Sequence, residues 1–214
     1  MDLHGITLIV TGFPRSGTSM MMRMLRLGGV EVLRDPKFDL PEHRHQYDPY
    51  GVDELSDVGP TIKAHDRAWT ANKAVKMVTP FVEWYPVDRP LKVIFMQRDH
   101  AEIITSLLAK KDIWGMDIGQ SIAVARKYLE IKQIPVLFLQ YHEVVQYPKT
   151  TALRIQDFLD VVLDIEQMKT GADANARNKY KDDPTMLQRG EPLLSLNPQD
   201  YRNITSVETI QGAE

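Results

Sequence analysis

"ITLIVTGFPRSGTSMMMRML", residues 6–25, decides the fold. An apolar run from Ile6 to Val10 enters a turn bounded by Gly12 and Gly17, and an apolar helix follows at once. Strand, glycine-bounded turn and helix together suit an anion. The glycines let backbone N–H groups converge, and the helix N-terminus adds positive potential. Thr18 and Ser19 bring hydroxyl donors, and Arg15 brings a permanent charge whose planar fork suits oxyanions. The spacing is that of G-x-x-x-x-G-K-[ST], but Thr18 occupies the lysine position. The part that reaches β- and γ-phosphates in nucleoside triphosphatases is therefore missing. A ligand-free strand–turn–helix is the alternative reading of this loop alone. Met20, Met21, Met22 and Met24 at the helix start read as core packing.

Outward from this loop, strands and helices alternate. Residues 5–11 read as a strand and 17–27 as a helix ended by Gly28 and Gly29. "KAVKMV", 73–78, reads as a strand, and "LKVIFMQ", 91–97, as a buried one. Asp99 is placed to cap a helix over about 101–110. Residues 118–132 read as a helix, 134–141 as a second buried strand, and 149–160 as a helix. The alternation predicts an α/β fold: a three-layer parallel sheet flanked by helices, of P-loop nucleotide-binding type. Ligands of such sheets bind beyond the carboxyl ends of the strands. The segment Arg15–Ser19, Arg98 and Tyr141 all stand just past predicted strand ends.

Two stretches break the pattern. Residues 30–72 are polar and turn-rich, and a loop of that length is usually functional or disordered. After about residue 170 the chain is polar and irregular. The expected organisation is a core over 1–165, with 166–214 a lid or partly disordered tail of the same domain.

Composition narrows the function. The 214 residues are 43% hydrophobic and 26% charged, as in an ordinary globular domain. A net charge of −3 gives no general reason to expect nucleic acid or an anionic membrane as partner. The absence of cysteine excludes disulfides, thiolate metal sites and a cysteine nucleophile. No run approaches the ~18 apolar residues of a membrane span. The N-terminus does not read as a signal peptide, so a cytoplasmic protein is expected. Of the histidines, only His43 and His45 pair closely, in a polar stretch where solvation is the simpler reading, so no metal is expected.

"TGFPRSGTS" resembles the 5′-phosphosulfate loop of the PAPS-dependent sulfotransferases, whose pattern is Pro-[Lys/Arg]-[Ser/Thr]-Gly-Thr-[Ser/Thr]. Their donor, 3′-phosphoadenosine 5′-phosphosulfate (PAPS), has no γ-phosphate, so a missing lysine is expected. "VIFMQRDHAEIITSLLA", 93–109, is similar to the family's 3′-phosphate segment, where an arginine ends a strand and a serine follows eight residues later. Arg98 and Ser106 have that spacing; a salt bridge from Arg98 to Asp99 or Glu102 is the alternative. "VLFLQYHEVVQYPKTTALRIQDFLDV", 136–161, resembles the late strand whose closing tyrosine, here Tyr141, lies near the adenine. Packing is the other role for that tyrosine. "YDPYGVDEL", 47–55, looks like the Asn-Pro-x-Gly-Tyr-x-Glu segment of small bacterial members, with Asp48 for asparagine.

The resemblance implies a sulfotransferase that moves a sulfonate from PAPS to a hydroxyl or amine of a small-molecule or glycan acceptor, leaving adenosine 3′,5′-bisphosphate. It implies donor contacts from Pro14, Arg15, Ser16, Gly17, Thr18, Ser19, Arg98, Ser106 and Tyr141, with Arg15 on the leaving 5′-phosphate and no metal. "KAVKMVTP" resembles Lys-Thr-His-x-Pro, with Lys76 and Pro80 matching and Val78 in place of the histidine base. Lys76 then touches the transferred sulfonate or caps its strand in solvent. The base candidates are Glu54, Glu42 and His65, in that order, with Lys63 beside the last. The family's C-terminal Arg-Lys-Gly segment has no clear counterpart; Arg177, Lys179, Lys181 and Arg189 are candidate substitutes. Trp69, Trp84 and Tyr47 could line an acceptor site, packing being the simpler role for the tryptophans. A P-loop kinase of a small metabolite and a non-catalytic nucleotide-binding protein of the same fold are the competing readings. The kinase needs an acidic Mg²⁺ ligand at a central strand end, where this chain has Gln97 and Arg98. Nothing in the sequence sets an oligomeric state.

Overall fold

The computed structural model describes residues 2–33, 70–79, 81–110 and 115–172. Five strands form one parallel sheet: β1 (Thr7–Thr11), β2 (Glu31–Val32), β3 (Lys73–Lys76), β4 (Leu91–Gln97) and β5 (Val136–Gln140). Their order across the sheet is β2-β3-β1-β4-β5. The helices are α1 (Thr18–Leu27), α2 (His100–Lys110), α3 (Ile118–Ile131), α4 (Tyr141–Gln146), α5 (Pro148–Leu159) and α6 (Ile165–Lys169), with a 3-10 turn at Phe81–Trp84.

The central strands have no polar face because both faces are covered. All five residues of β1 are buried, and Val93, Ile94, Phe95 and Met96 of β4 are at most 1% exposed. On one face Leu8, Val10 and Ile94 meet Met21, Met22, Met24 and Leu25 of α1, Ile155 of α5 and Met168 of α6. On the other, Ile9, Val75, Val93 and Phe95 meet Ala125 and Leu129 of α3 together with Val82 and Tyr85. Each such side chain contributes about 1.5–3 kcal/mol on burial, so these two layers hold the sheet far more firmly than any single polar contact. The methionines of α1 are core residues.

Three local corrections follow. The predicted start of β1 at Gly5 is too early, because His4 and Gly5 form a left-handed turn held by Asn72 Oδ1 on the Gly5 N–H at 2.7 Å. Tyr141 opens a short helix, α4, instead of closing β5. Trp84 is 50% exposed and rests on the Phe81 ring at 4.8 Å, so it is not a buried packing residue.

The strand order makes a switch point. From β1 the chain travels through α1 to β2 at one edge, whereas from β4 it travels through α2 and α3 to β5 at the other. The loops after β1 and β4, which are neighbours in the sheet, therefore diverge and open a crevice between them. Arg15 follows β1 and Arg98 follows β4.

Candidate functional site

Thr11 is the last residue of β1 and pairs with Phe95, so Gly12 passes beside Met96. A Cβ on Gly12 would stand 2.5 Å from the Met96 carbonyl oxygen and 2.4 Å from Ser16 Oγ, and its φ is +147°. Only glycine fits there. The turn closes with the Ser16 N–H donating to the Phe13 carbonyl at 3.0 Å, and Gly17 (φ 99°) leads into α1 with no side-chain cap. The first N–H groups of α1 thus lack the oxygen acceptor that a serine or aspartate cap supplies. Arg15 itself has φ 74°, a left-handed conformation that costs a residue with a Cβ roughly 1–2 kcal/mol.

Buried hydroxyls cluster around this turn. Thr11 Oγ1, Ser16 Oγ and Thr79 Oγ1 are buried without a hydrogen-bond partner. Thr79 reaches the turn because its N–H donates to the Gly12 carbonyl at 3.0 Å. Unpartnered hydroxyls are costly when buried, and here they flank a turn whose helix start has no side-chain cap. Lys76, at the end of β3, is 5% exposed and donates from Nζ to Ser19 Oγ at 2.9 Å. It does not cap its strand in solvent.

The two strand-end loops meet through their arginines. Arg98 Nη1 donates to the Arg15 carbonyl at 2.9 Å, and Arg15 Nε donates to Ser106 Oγ at 3.0 Å. Ser106 lies two turns into α2, where it is 5% exposed. Arg98 Nε also donates to Glu102 Oε2 at 2.9 Å, so the salt bridge weighed against a ligand role for Arg98 is present as well. The Tyr141 ring lies under the guanidinium, 4.2 Å from its central carbon, and Tyr141 also packs against Gly17. Ser106, Arg15, Arg98 and Tyr141, drawn from three separate segments, are thus linked in series, the Arg98–Arg15 link running through the Arg15 carbonyl.

Pro14 and Thr18 are buried parts of the same turn. Glu42, Glu54, His65, Lys63, Trp69, Tyr47, the paired histidines and the basic residues from Arg177 to Arg189 lie outside the described residues. Val78 is half-buried beside Thr79. Sequence reasoning overlooked Thr11, Thr79 and His142 as parts of the site. His142 Nε2 stands 3.0 Å from Glu102 Oε1. A cavity of about 570 Å³ opens at the carboxyl ends of β4 and β5, lined among others by Arg98, Arg126, His100 and His142. Among the described residues, no group of three or more His, Asp and Glu side chains is arranged to hold a metal ion. Among them, too, no helix is long and apolar enough to cross a membrane.

No family model matches the sequence, and no curated protein matches it by sequence either. Solved structures do. Mouse sulfotransferase SULT7A1, complexed with PAP, superposes with a TM-score of 0.52 at 14% identity, over 95% of this chain and 83% of that one. Sulfotransferase STF1 from Mycobacterium tuberculosis H37Rv gives 0.48 at 15% identity over 76% and 70% of the two chains. Retinol dehydratase in complex with androsterone and the inactive cofactor PAP gives 0.47 at 16% identity over 96% and 71%. The first of these likenesses establishes the architecture: the chain has the P-loop sulfotransferase fold.

Proposed function

We propose that this chain is a PAPS-dependent sulfotransferase, transferring a sulfonate to a hydroxyl or amine acceptor and releasing adenosine 3′,5′-bisphosphate. The observation that carries the proposal is the 2.9 Å bond from Arg98 to the Arg15 carbonyl, which joins the turn after β1 to the end of β4. Two anion-binding elements so close together suit one nucleotide carrying phosphates at both ends of its ribose. The fold of SULT7A1, solved with PAP, supports the same reading.

In this scheme the N–H groups of Gly17 to Ser19, with the Ser16, Thr18 and Ser19 hydroxyls, hold the 5′-phosphosulfate. Pro14 and Gly17 shape the turn. Arg98 and Ser106 take the 3′-phosphate, and Tyr141 supports the adenine side. Sulfuryl transfer has a loose transition state, with charge gathering on the bridging oxygen and the departing phosphate, so positioned cations contribute most. Arg15 serves the departing phosphate. Lys76, already on Ser19, is placed for the sulfonate oxygens. The proton of the acceptor goes to Glu54, Glu42 or His65, since Val78 cannot take it. The acceptor is a small molecule or glycan.

Calorimetry separates this reading from its rivals. Adenosine 3′,5′-bisphosphate should bind, and Arg98→Ala should weaken that binding at least about tenfold. Preference for ATP with Mg²⁺ would mean a kinase. Binding without transfer to any acceptor in a broad panel would mean a nucleotide-binding protein without catalysis.

A further inference from the structure

We propose that Glu102 is a positioning residue that sets selectivity for a 3′-phosphorylated nucleotide by fixing the plane of Arg98, with His142 holding Glu102 in turn. The inference rests on the reading above that Arg98 receives the 3′-phosphate. Three contacts constrain the guanidinium: Nε on Glu102 at 2.9 Å, Nη1 on the Arg15 carbonyl at 2.9 Å, and one face on the Tyr141 ring at 4.2 Å. Two edges and a face define a plane completely. The contacts consume two of the guanidinium's five N–H donors and leave the rest for a ligand. The far carboxylate oxygen of Glu102 faces His142 Nε2 at 3.0 Å, so Arg98, Glu102 and His142 form a continuous chain from β4 across α2 to α4. A carboxylate beside a phosphate site is unfavourable by charge alone. Its presence there makes sense when the gain from orienting the fork exceeds the repulsion.

Those two effects have opposite signs, which makes the idea testable. Affinities for adenosine 3′,5′-bisphosphate and for adenosine 5′-monophosphate are measured in the full chain, by calorimetry, for wild type, Arg98→Ala, Glu102→Ala, Glu102→Gln, His142→Ala and Glu102→Ala/His142→Ala. Glu102→Ala should lose about ten- to a hundredfold for the bisphosphate and stay near wild type for the monophosphate. Glu102→Gln keeps an acceptor oxygen for the Nε–H and should recover most of the loss. His142→Ala should cost less, and nothing further once Glu102 is gone, because it acts only through that carboxylate. Unchanged or tighter bisphosphate binding in Glu102→Ala overturns the proposal, since the carboxylate would then act through charge alone. Equal loss for both nucleotides, or Glu102→Gln as weak as Glu102→Ala, overturns it too. A wild type that binds the two nucleotides equally well, or an Arg98→Ala variant that keeps the full wild-type preference for the bisphosphate, defeats the functional reading itself, and this inference with it.

Discussion

Gly17 lies directly against the ring of Tyr141: a Cβ built on Gly17 would stand 2.6 Å from the ring's Cδ2. The contact locks the start of α1 to the start of α4, and hence the turn after β1 to the end of β5. Gly17→Ala meets this ring and a backbone at φ +99° that side chains rarely adopt. A loss of about 2 kcal/mol or more is expected, or roughly 4–8 °C in Tm for a chain of this length. Thermal unfolding of the variant checks it. A Tm within 1–2 °C of wild type, at about 2–4 °C per kcal/mol, would show that the ring moves aside without cost.

Tyr141 tests the other side of the same contact. The ring is 6% exposed and lies 4.2 Å from the guanidinium carbon of Arg98. The ring, and not its hydroxyl, makes these contacts. Tyr141→Phe should therefore leave stability and bisphosphate affinity within about 0.5 kcal/mol of wild type. Tyr141→Ala should cost about 3–5 kcal/mol of stability through the cavity it leaves, and should weaken bisphosphate binding as Arg98 loses its support. Denaturant titration and calorimetry on the two variants separate ring from hydroxyl. A Phe variant as damaged as the Ala variant would place the function in the hydroxyl.

For Lys76 the distinction lies between ground state and transition state. Its Nζ bonds Ser19 Oγ at 2.9 Å from a buried position. The bisphosphate product carries no sulfonate, so Lys76→Met should change its affinity little while lowering turnover about 10²–10³-fold. Product binding and steady-state turnover provide the comparison. If affinity falls as far as turnover, Lys76 serves to hold the loop and not the transferring group.

Much of this architecture was legible because it depends on local pattern. The apolar runs of β1 and β4 need no tertiary context to be read as buried strands, whereas β5, read the same way, lies at the sheet edge with only Leu139 buried; Asp99 accepts the Glu102 N–H at 3.2 Å, as a capping residue should. β2 was hidden because its two residues, Glu31 and Val32, form a strand only through pairing with Lys73 and Ala74. α4 was hidden because it follows β5 with no glycine or proline between them, so Tyr141 looked like the end of the apolar run. The same division holds in the site. Gly12, Gly17 and Arg15 announce themselves by spacing, and Glu102 stands one helical step beyond Arg98. The Arg15–Ser106 bond spans 91 residues, and His142 meets Glu102 through the juxtaposition of α2 and α4. No periodicity along one segment encodes either contact.

The missing base gives the next test. Val78 stands where the resemblance to the sulfotransferases would put a histidine, so in the proposed reaction the acceptor's proton leaves through another group. Glu54→Gln, Glu42→Gln and His65→Asn remove one candidate each without removing bulk. One of them should lower turnover about 10²–10⁴-fold with bisphosphate affinity intact. The pH–rate profile of that variant should also lose its acidic limb, because the limb reports protonation of the base. If all three retain turnover, the proton takes a route that none of these residues serves.

Stability at high pH depends on a different part of the molecule. Tyr128 Oη donates to the Tyr85 carbonyl at 2.9 Å, tying α3 to the segment before β4. Burial, and then the nearby Glu83 carboxylate, raise the Tyr128 phenol above its ordinary value of 10.0. A phenol held neutral in the fold but free to ionise in the unfolded chain contributes stability that is full below about pH 10. Above that, the unfolded state sheds its proton first, and the contribution is lost as pH climbs through the raised folded value. Tyr128→Phe should cost about 1 kcal/mol near pH 8, from the lost hydrogen bond. Its stability should then decline less steeply than wild type as pH rises above about 10, where that loss develops. Urea unfolding across this range reads both. Parallel decline of the two proteins would mean that Tyr128 ionises as readily folded as unfolded, and the link between α3 and Tyr85 would then rest on packing alone.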